Sequence, residues 1–191
     1  MPSVWILTGG IGTGKSTVSA MLADLGAVIV NADEIGHEVL KGEALESVAS
    51  VWPQTVVDGE INRSRLASIV FSDRSALNQL EDITHPLITE EIERRCRSLD
   101  DRDIAIVELS VPRVSPYVGY EKTIVTVLDD QTRRSRLLAR GMSPQDIDRR
   151  IENQLSTYGW LAYGKWRIDT SGTFDEVTER VKMFWDYVIL D

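Results

Sequence analysis

The chain has 191 residues, with 21 Lys and Arg against 30 Asp and Glu, and a formal net charge of −9. This length is typical of one α/β domain with a substantial core, and the acidic balance argues against a general nucleic-acid or anionic-membrane binder. The single cysteine, Cys96, excludes an internal disulfide and a cysteine-based metal site, and its apolar helical stripe predicts a buried packing thiol. Neither a membrane span nor a signal peptide is recognisable, so we expect a soluble, cytoplasmic protein.

A phosphate-binding loop follows the first apolar run. Residues 4–7 are apolar, and residues 9–16 match the pattern G-x-x-x-x-G-K-[ST], after which apolar residues recur at helical spacing. In a loop between strand and helix, backbone N–H groups bind phosphates, Lys15 reaches the β- and γ-phosphates, and the Ser16 hydroxyl ligates Mg²⁺. The sequence therefore predicts a protein that binds ATP or GTP. The residues predicted to contact the nucleotide here are Gly10, Ile11, Gly12, Thr13, Gly14, Lys15, Ser16 and Thr17.

The second apolar run, residues 27–30, ends in Asn31-Ala32-Asp33. In an open α/β sheet the carboxyl ends of the strands border the ligand crevice, so we expect Asp33 to face the phosphates. A carboxylate there can accept the proton of an attacking hydroxyl or hold Mg²⁺ through water. The alternative is that Asp33 caps the helix that follows.

Two further apolar runs, residues 104–109 and 123–128, alternate with helical patterns. Such alternation is typical of a parallel sheet flanked by helices. The helical section between the second and third runs is too long for a simple crossover, and we expect it to form a cap over about residues 36–100. A last helix carries an apolar stripe over residues 177–188 that favours packing on the sheet.

Positive charge is concentrated between residues 133 and 150. This stretch carries +4, and the remainder of the chain carries −13. Its arginines are Arg133, Arg134, Arg136, Arg140, Arg149 and Arg150. Arginine matches phosphate oxygens in a bidentate fork, and phosphoryl transfer needs such groups to neutralise developing charge. For any one of them, an exposed helix face with ion pairs explains the residue equally well.

Several of these segments together resemble the dephospho-CoA kinases. The segments are residues 7–17, Asp24-Leu25-Gly26, Ala32-Asp33, Asp58-Gly59 with Arg63 and Leu66, Val70–Asp73, His85-Pro86-Leu87-Ile88, Arg136–Gly141 with Arg150, Ile151 and Gln154, and Ile168–Gly172. Members of that family are P-loop kinases that transfer the γ-phosphoryl group of ATP to the ribose 3′-hydroxyl of dephospho-CoA. The resemblance spans nearly the whole chain. It implies a single domain over residues 1–191 with a P-loop NTPase-type sheet, and it implies this reaction with ATP and Mg²⁺.

The resemblance also implies roles for particular residues. Lys15 and Ser16 would bind phosphate and Mg²⁺, and Asp33 would be the general base. Arg140 would be the arginine of a lid, about residues 136–163, that neutralises the transferring group. The two residues that would also contact the nucleotide are Arg136 and Thr170.

On the acceptor side, the resemblance implies that His85 and Pro86 shape the cap beside the CoA portion, together with Arg63 and Asp33. The structural alternative for His85 is a histidine at the start of a helix over residues 87–99, with Pro86 at the first helical position. Gln154 would orient the lid.

Some positions depart from the family's pattern. Asn31 and Asn62 stand where the family has acids, and Asp169-Thr170 replaces its Asp-Asn. Residues 110–116 replace an apolar and acidic wall after the third strand, and Glu108 either substitutes for the missing acid or is an edge charge. A related kinase for another nucleotide-like or hydroxylated metabolite, and a nucleotide-binding pseudokinase, therefore remain open. We expect a small-molecule substrate, no nucleic-acid or membrane partner, and a monomer or weak oligomer.

Overall fold

Five parallel strands form the main sheet of the chain. A computed structural model describes residues 2–110, 119–152, 154 and 157–190. The strands of this sheet are β1 (Ser3–Thr8), β2 (Val28–Asn31), β5 (Ile104–Glu108), β6 (Thr123–Val127) and β7 (Trp166–Asp169), and β3 (Val56–Val57) and β4 (Glu60–Ile61) form a separate antiparallel pair. The order is β2-β5-β1-β6-β7, and every neighbouring pair is parallel. All five carboxyl ends therefore lie at one edge, where ligands bind in such sheets.

Helices cover both faces of the sheet. Within the described ranges they are α1 (Lys15–Asp24), α2 (Ala32–Lys41), α3 (Leu45–Val51), α4 (Arg63–Val70), α5 (Arg74–Arg97), α6 (Asp130–Ala139), α7 (Pro144–Glu152), α8 (Thr157–Leu161) and α9 (Phe174–Phe184). Short 3₁₀ turns occur at Pro53–Thr55 and Tyr120–Lys122, and a π-helical turn at Trp185–Ile189 continues α9. None of these helices has both the length and the apolar character that crossing a bilayer requires.

The alternation of side chains along the central strands sorts the core into two clusters, because successive residues of a strand face opposite sides. Ile6 and Val107 join one buried cluster with α2, α3, α4 and α5. Leu7 and Ile106 join the other cluster, which they share with α1 and α9. The predicted class, an α/β fold with a P-loop NTPase-type parallel sheet flanked by helices, is confirmed.

The four apolar runs of the sequence are β1, β2, β5 and β6, within one or two residues at each end. The strand β7 was not among these runs. It lies at the edge of the sheet, and only Ile168 of its four residues is fully buried. An edge strand with exposed Arg167 and Asp169 has too little apolar pattern to be recognised by that criterion.

The helix predicted to begin at Pro86 begins twelve residues earlier, so that prediction is wrong. Pro86 lies inside α5, which starts at Arg74 after Asp73, whose side chain accepts the backbone N–H of Ser75. A proline inside a helix removes one backbone hydrogen bond and costs about 3 kcal/mol. The buried face of α5 runs through Ala76, Thr84, Ile88, Ile92 and Cys96 on both sides of Pro86. Burial of this continuous face offsets the lost bond and keeps the helix whole.

Candidate active site

The phosphate loop joins β1 to α1, as predicted. Gly12 and Gly14 have φ angles of +76° and +88°, in the left-handed region that favours glycine. A Cβ added at Gly12 would lie 2.9 Å from Cγ of Leu137, so α6 packs directly against the loop. Gly14 precedes α1 and offers no side-chain cap. The first N–H groups of α1 are therefore left for a bound anion.

Lys15 lies along this loop. Its Nζ donates to the carbonyl oxygen of Gly9 at 2.8 Å. Burial lowers the pKa of its ammonium group from the usual range, and the carboxylates of Glu108 and Asp33 oppose that shift. Glu108 ends β5, and Asp33 follows the neighbouring strand β2, so both acids lie at the carboxyl edge of the sheet together with the phosphate loop.

Glu108, for which the sequence left open a substitute acid or an edge charge, is a residue of the site. It ends β5, in register with Leu7 of β1 and Asn31 of β2, so it lies on an internal strand and the edge-charge interpretation is wrong. Its side chain is buried, and Oε1 accepts a hydrogen bond from the Ser16 hydroxyl at 3.1 Å. The available signal was an acid at the carboxyl end of an apolar run.

Asp33 lies in the first turn of α2, at the same edge. The capping residue of this helix is Asn31, whose Oδ1 accepts the backbone N–H groups of Asp33 and Glu34 at 2.9 and 3.2 Å. The carboxylate of Asp33 is exposed and accepts a hydrogen bond from the Ser110 hydroxyl at 2.8 Å. The capping explanation of Asp33 is therefore wrong, and its carboxylate is available to a ligand.

The two amides Asn31 and Asn62 share a structural role. Asn62 caps α4 by accepting the N–H of Arg65 at 3.0 Å, as Asn31 caps α2. Asparagine is among the best N-capping residues. Both amides therefore stabilise the start of a helix without adding a negative charge.

Arg136 and Thr170 meet beside the phosphate loop. The Nη2 atom of Arg136 donates to the carbonyl oxygen of Thr170 at 2.7 Å. The Thr170 hydroxyl is buried and donates to the carbonyl oxygen of Thr13 at 2.8 Å. The loop after β7 and the helix α6 are thus connected to the phosphate loop through these two residues.

The predicted lid arginine Arg140 and the predicted acceptor-side residues lie apart from this cluster of contacts. Arg140 follows the last turn of α6 and is exposed, and Arg63 is exposed at the start of α4. His85 and Pro86 line an open groove on α5 together with acidic side chains, which are Glu81, Asp82, Glu90 and Glu93. Of the divergent segment 110–116, only Ser110 lies within the described residues.

The profile of the family described as dephospho-CoA kinase matches residues 4–176. The chain belongs to the dephospho-CoA kinase family. It is 35% identical over 190 residues to the dephospho-CoA kinase of Aquifex aeolicus, covering 97% of each chain. It is 38% identical over 189 residues to that of Leifsonia xyli subsp. xyli, covering 94% of this chain and 95% of the relative. Membership makes this protein a phosphotransferase, with ATP as a substrate and a hydroxyl group as acceptor.

A solved structure shares the whole architecture. The crystal structure of TT1252 from Thermus thermophilus superposes with a TM-score of 0.83 at 24% identity and covers 98% of both chains. At this identity the likeness concerns the fold. The two structures agree over nearly the full length of the chain, and not only in the sheet.

Proposed function

We propose that this kinase transfers the γ-phosphoryl group of ATP to the ribose 3′-hydroxyl of dephospho-CoA at the carboxyl edge of β1, β2 and β5. The observation that carries the proposal is a pair of contacts at the ends of adjacent strands. Glu108 at the end of β5 accepts a hydrogen bond from Ser16, the residue after Lys15. Asp33, which follows the neighbouring strand β2, accepts one from Ser110, two residues beyond Glu108. Phosphoryl transfer depends on positioning and charge, and this cluster supplies a cation for the phosphates beside carboxylates for the nucleophile and metal. Family membership supports the acceptor.

The phosphate loop binds the triphosphate. The first N–H groups of α1 point at phosphate oxygens, because Gly14 has no side chain to cap them. The N–H of Ile11, which was predicted to contact the nucleotide, instead donates to Gln154. Lys15 exchanges its bond to the Gly9 carbonyl for the β- and γ-phosphates. A buried ammonium group gains more free energy from binding a phosphate than an exposed one does, since solvent screens the attraction less.

The residues at the end of β5 fit a magnesium ion. The described ranges contain no group of three His, Cys, Asp or Glu side chains that could form an all-protein metal site. Mg²⁺ needs fewer protein ligands, because it keeps waters and substrate phosphates as its other partners. Ser16 would hold it, with Glu108 beside it at hydrogen-bond distance. When bound, the ion neutralises charge on the phosphates.

Asp33 is the general base of the proposed reaction. The Ser110 hydroxyl donates to Oδ2 and so orients the carboxylate. Since Asn31 already caps α2, the charge of Asp33 has no capping duty at this helix. The exposed carboxylate can accept the proton of the attacking 3′-hydroxyl when the acceptor is bound.

A cap and a lid would enclose the two substrates. We propose that about residues 36–100 form the cap within a single kinase domain, with His85, Pro86 and Arg63 shaping the acceptor side. The lid, about residues 136–163, would bring Arg140 to the phosphates, and Arg136 would act from beside Thr170. We also propose a cytoplasmic monomer or weak oligomer without a nucleic-acid or membrane partner. The acidic net charge argues against a nucleic-acid or anionic-membrane partner, and a free cysteine fits a reducing compartment.

The test is Asp33→Asn. We expect a folded protein that binds Mg-ATP normally but loses most dephospho-CoA-dependent ADP release, because the amide keeps the shape and cannot take the proton. The matched control is Glu34→Gln, which removes the neighbouring exposed acid of the same helical turn and should leave turnover within about twofold.

Three results would contradict the proposal in different ways. Wild-type kcat in Asp33→Asn would remove Asp33 from the chemistry. Absence of dephospho-CoA-dependent ADP release by the wild type, with activity on another hydroxylated metabolite, would instead redirect the acceptor assignment. No turnover with any acceptor, despite Mg-ATP binding, would favour the pseudokinase alternative.

A further inference from the structure

One arginine of the positive segment is buried although its neighbours are exposed. Arg133 on α6 is 4% exposed, and its Nε donates to the carbonyl oxygen of Ile11 at 2.6 Å. Its Nη2 donates to Oε1 of Gln154 at 3.2 Å. A buried guanidinium is tolerated only when hydrogen bonds satisfy it, so these contacts determine where Arg133 lies.

Gln154 completes a closed set of hydrogen bonds around one residue of the phosphate loop. Its Oε1 also accepts the backbone N–H of Ile11 at 2.8 Å. The N–H and the carbonyl of Ile11 are therefore held by two side chains from distant parts of the chain. A flexible peptide that is held at both polar groups keeps its orientation before the nucleotide arrives.

The loop glycine beside Ile11 makes room for the guanidinium. A Cβ added at Gly10 would lie 2.8 Å from Nη2 of Arg133, closer than side-chain atoms normally approach. Gly10 has no φ angle in the left-handed region, so its backbone conformation does not demand glycine. A side chain at Gly10 would therefore displace the guanidinium of Arg133 from its present position.

The charge of Arg133 is only weakly neutralised by its neighbour. Asp130 approaches Nη1 at 3.7 Å, and the aspartate side chain is 71% exposed, so water screens the pair. Arg133 is therefore a buried cation beside the phosphate loop with little local neutralisation, where a triphosphate would supply negative charge.

We propose that Arg133 is a positioning residue for ATP, which acts with Gln154 to hold the Ile11 peptide groups of the phosphate loop. This inference rests on the proposed function only for the identity of the acceptor. It assigns to Arg133 an effect on the affinity for ATP and no effect on the affinity for the acceptor.

The first experiment measures Mg-ATP affinity by titration calorimetry without acceptor. Arg133→Gln should raise the Kd about 10- to 100-fold, the equivalent of one hydrogen bond from a charged group. The matched control is Arg134→Gln on the same helix. Arg134 is half-exposed and pairs with Asp148 on the surface, so the Kd of that variant should stay within about twofold.

The second experiment separates positioning from general damage. Gln154→Ala should raise the Kd about two- to tenfold, the equivalent of neutral hydrogen bonds. The Kd of the double variant, Arg133→Gln with Gln154→Ala, should exceed that of Arg133→Gln by no more than about twofold. Both side chains hold the same peptide groups of Ile11, so their losses should not multiply. The KM for dephospho-CoA should not change in any of these variants, whereas a loosened fold would raise it too.

Three results would overturn the inference. These are a folded Arg133→Gln protein with wild-type Kd, a double variant whose loss equals the product of the single losses, and a parallel rise in the KM for dephospho-CoA. If Arg133→Gln does not fold, Gln154→Ala decides, and an unchanged Kd there also refutes the proposal. Lack of wild-type activity on dephospho-CoA would refute the acceptor assignment and leave the binding results valid.

Discussion

The effect of replacing Glu108 by glutamine follows directly from its position. The amide keeps an oxygen that can accept the Ser16 hydrogen bond, so the change mainly removes one negative charge from a buried site. Glu108 is also the carboxylate that acts most strongly against the lowered pKa of Lys15. In Glu108→Gln the pKa of Lys15 should therefore fall further.

The magnitude can be derived from the contact itself. Because the amide keeps the bond, the loss is the difference between a hydrogen bond to a charged group, about 1.5–3 kcal/mol, and a neutral one, about 0.5–1.5 kcal/mol. This difference is about 1–1.5 kcal/mol, and each 1.4 kcal/mol is a factor of ten. We therefore expect the Mg²⁺ concentration that gives half-maximal ADP release to rise about five- to tenfold. Thermal stability should change little, because about 1 kcal/mol would shift the melting temperature of a chain of this size by about 2–4 °C.

The assay is ADP release with dephospho-CoA across a Mg²⁺ titration, with melting followed by circular dichroism. Glu121→Gln serves as the control, because Glu121 pairs with Lys165 at the surface and its side chain is 74% exposed. Its Mg²⁺ dependence should match that of the wild type. If Glu108→Gln shows the wild-type Mg²⁺ dependence and kcat, the role given to Glu108 is wrong.

Two further substitutions test the cations of the site. Lys15→Ala should reduce turnover by about 10³-fold without lowering the melting temperature, because it removes a charge that follows the phosphates into the transition state. Near-normal ADP release by the folded variant would refute this role. Arg140→Lys should lower kcat more than it weakens ATP binding, because a point charge cannot reproduce the bidentate fork. Steady-state kinetics measures kcat, and calorimetry measures ATP binding. Equal losses in kcat and in ATP affinity would indicate ground-state binding alone.

Local rules could have resolved the start of α2. Asparagine accepts N–H groups two and three residues ahead, which is the pattern that Asn31 forms with Asp33 and Glu34. Asn31 and Asp33 are both capping candidates by this rule, and a cap at Asn31 leaves the carboxylate of Asp33 for chemistry.

The α5 helix marks a different limit. Proline predicts a helix boundary because of its missing N–H, and that rule is local. The continuous buried face on both sides of Pro86 depends on α2 and α4, which pack against α5. Tertiary packing therefore overrode the local signal.

The sequence by itself determined the parts of this protein whose chemistry lies in consecutive residues. The phosphate loop, the strand before it and the helix after it follow from one short motif and its periodicity, and the family follows from motifs along the chain. The positions of Glu108 and Arg133 were decided by the tertiary structure. Glu108 becomes a site residue because β5 inserts between β2 and β1, and Arg133 reaches Ile11 because α6 packs against the loop. Strand order and helix packing depend on contacts between residues about 90 to 120 positions apart, which a local pattern does not encode.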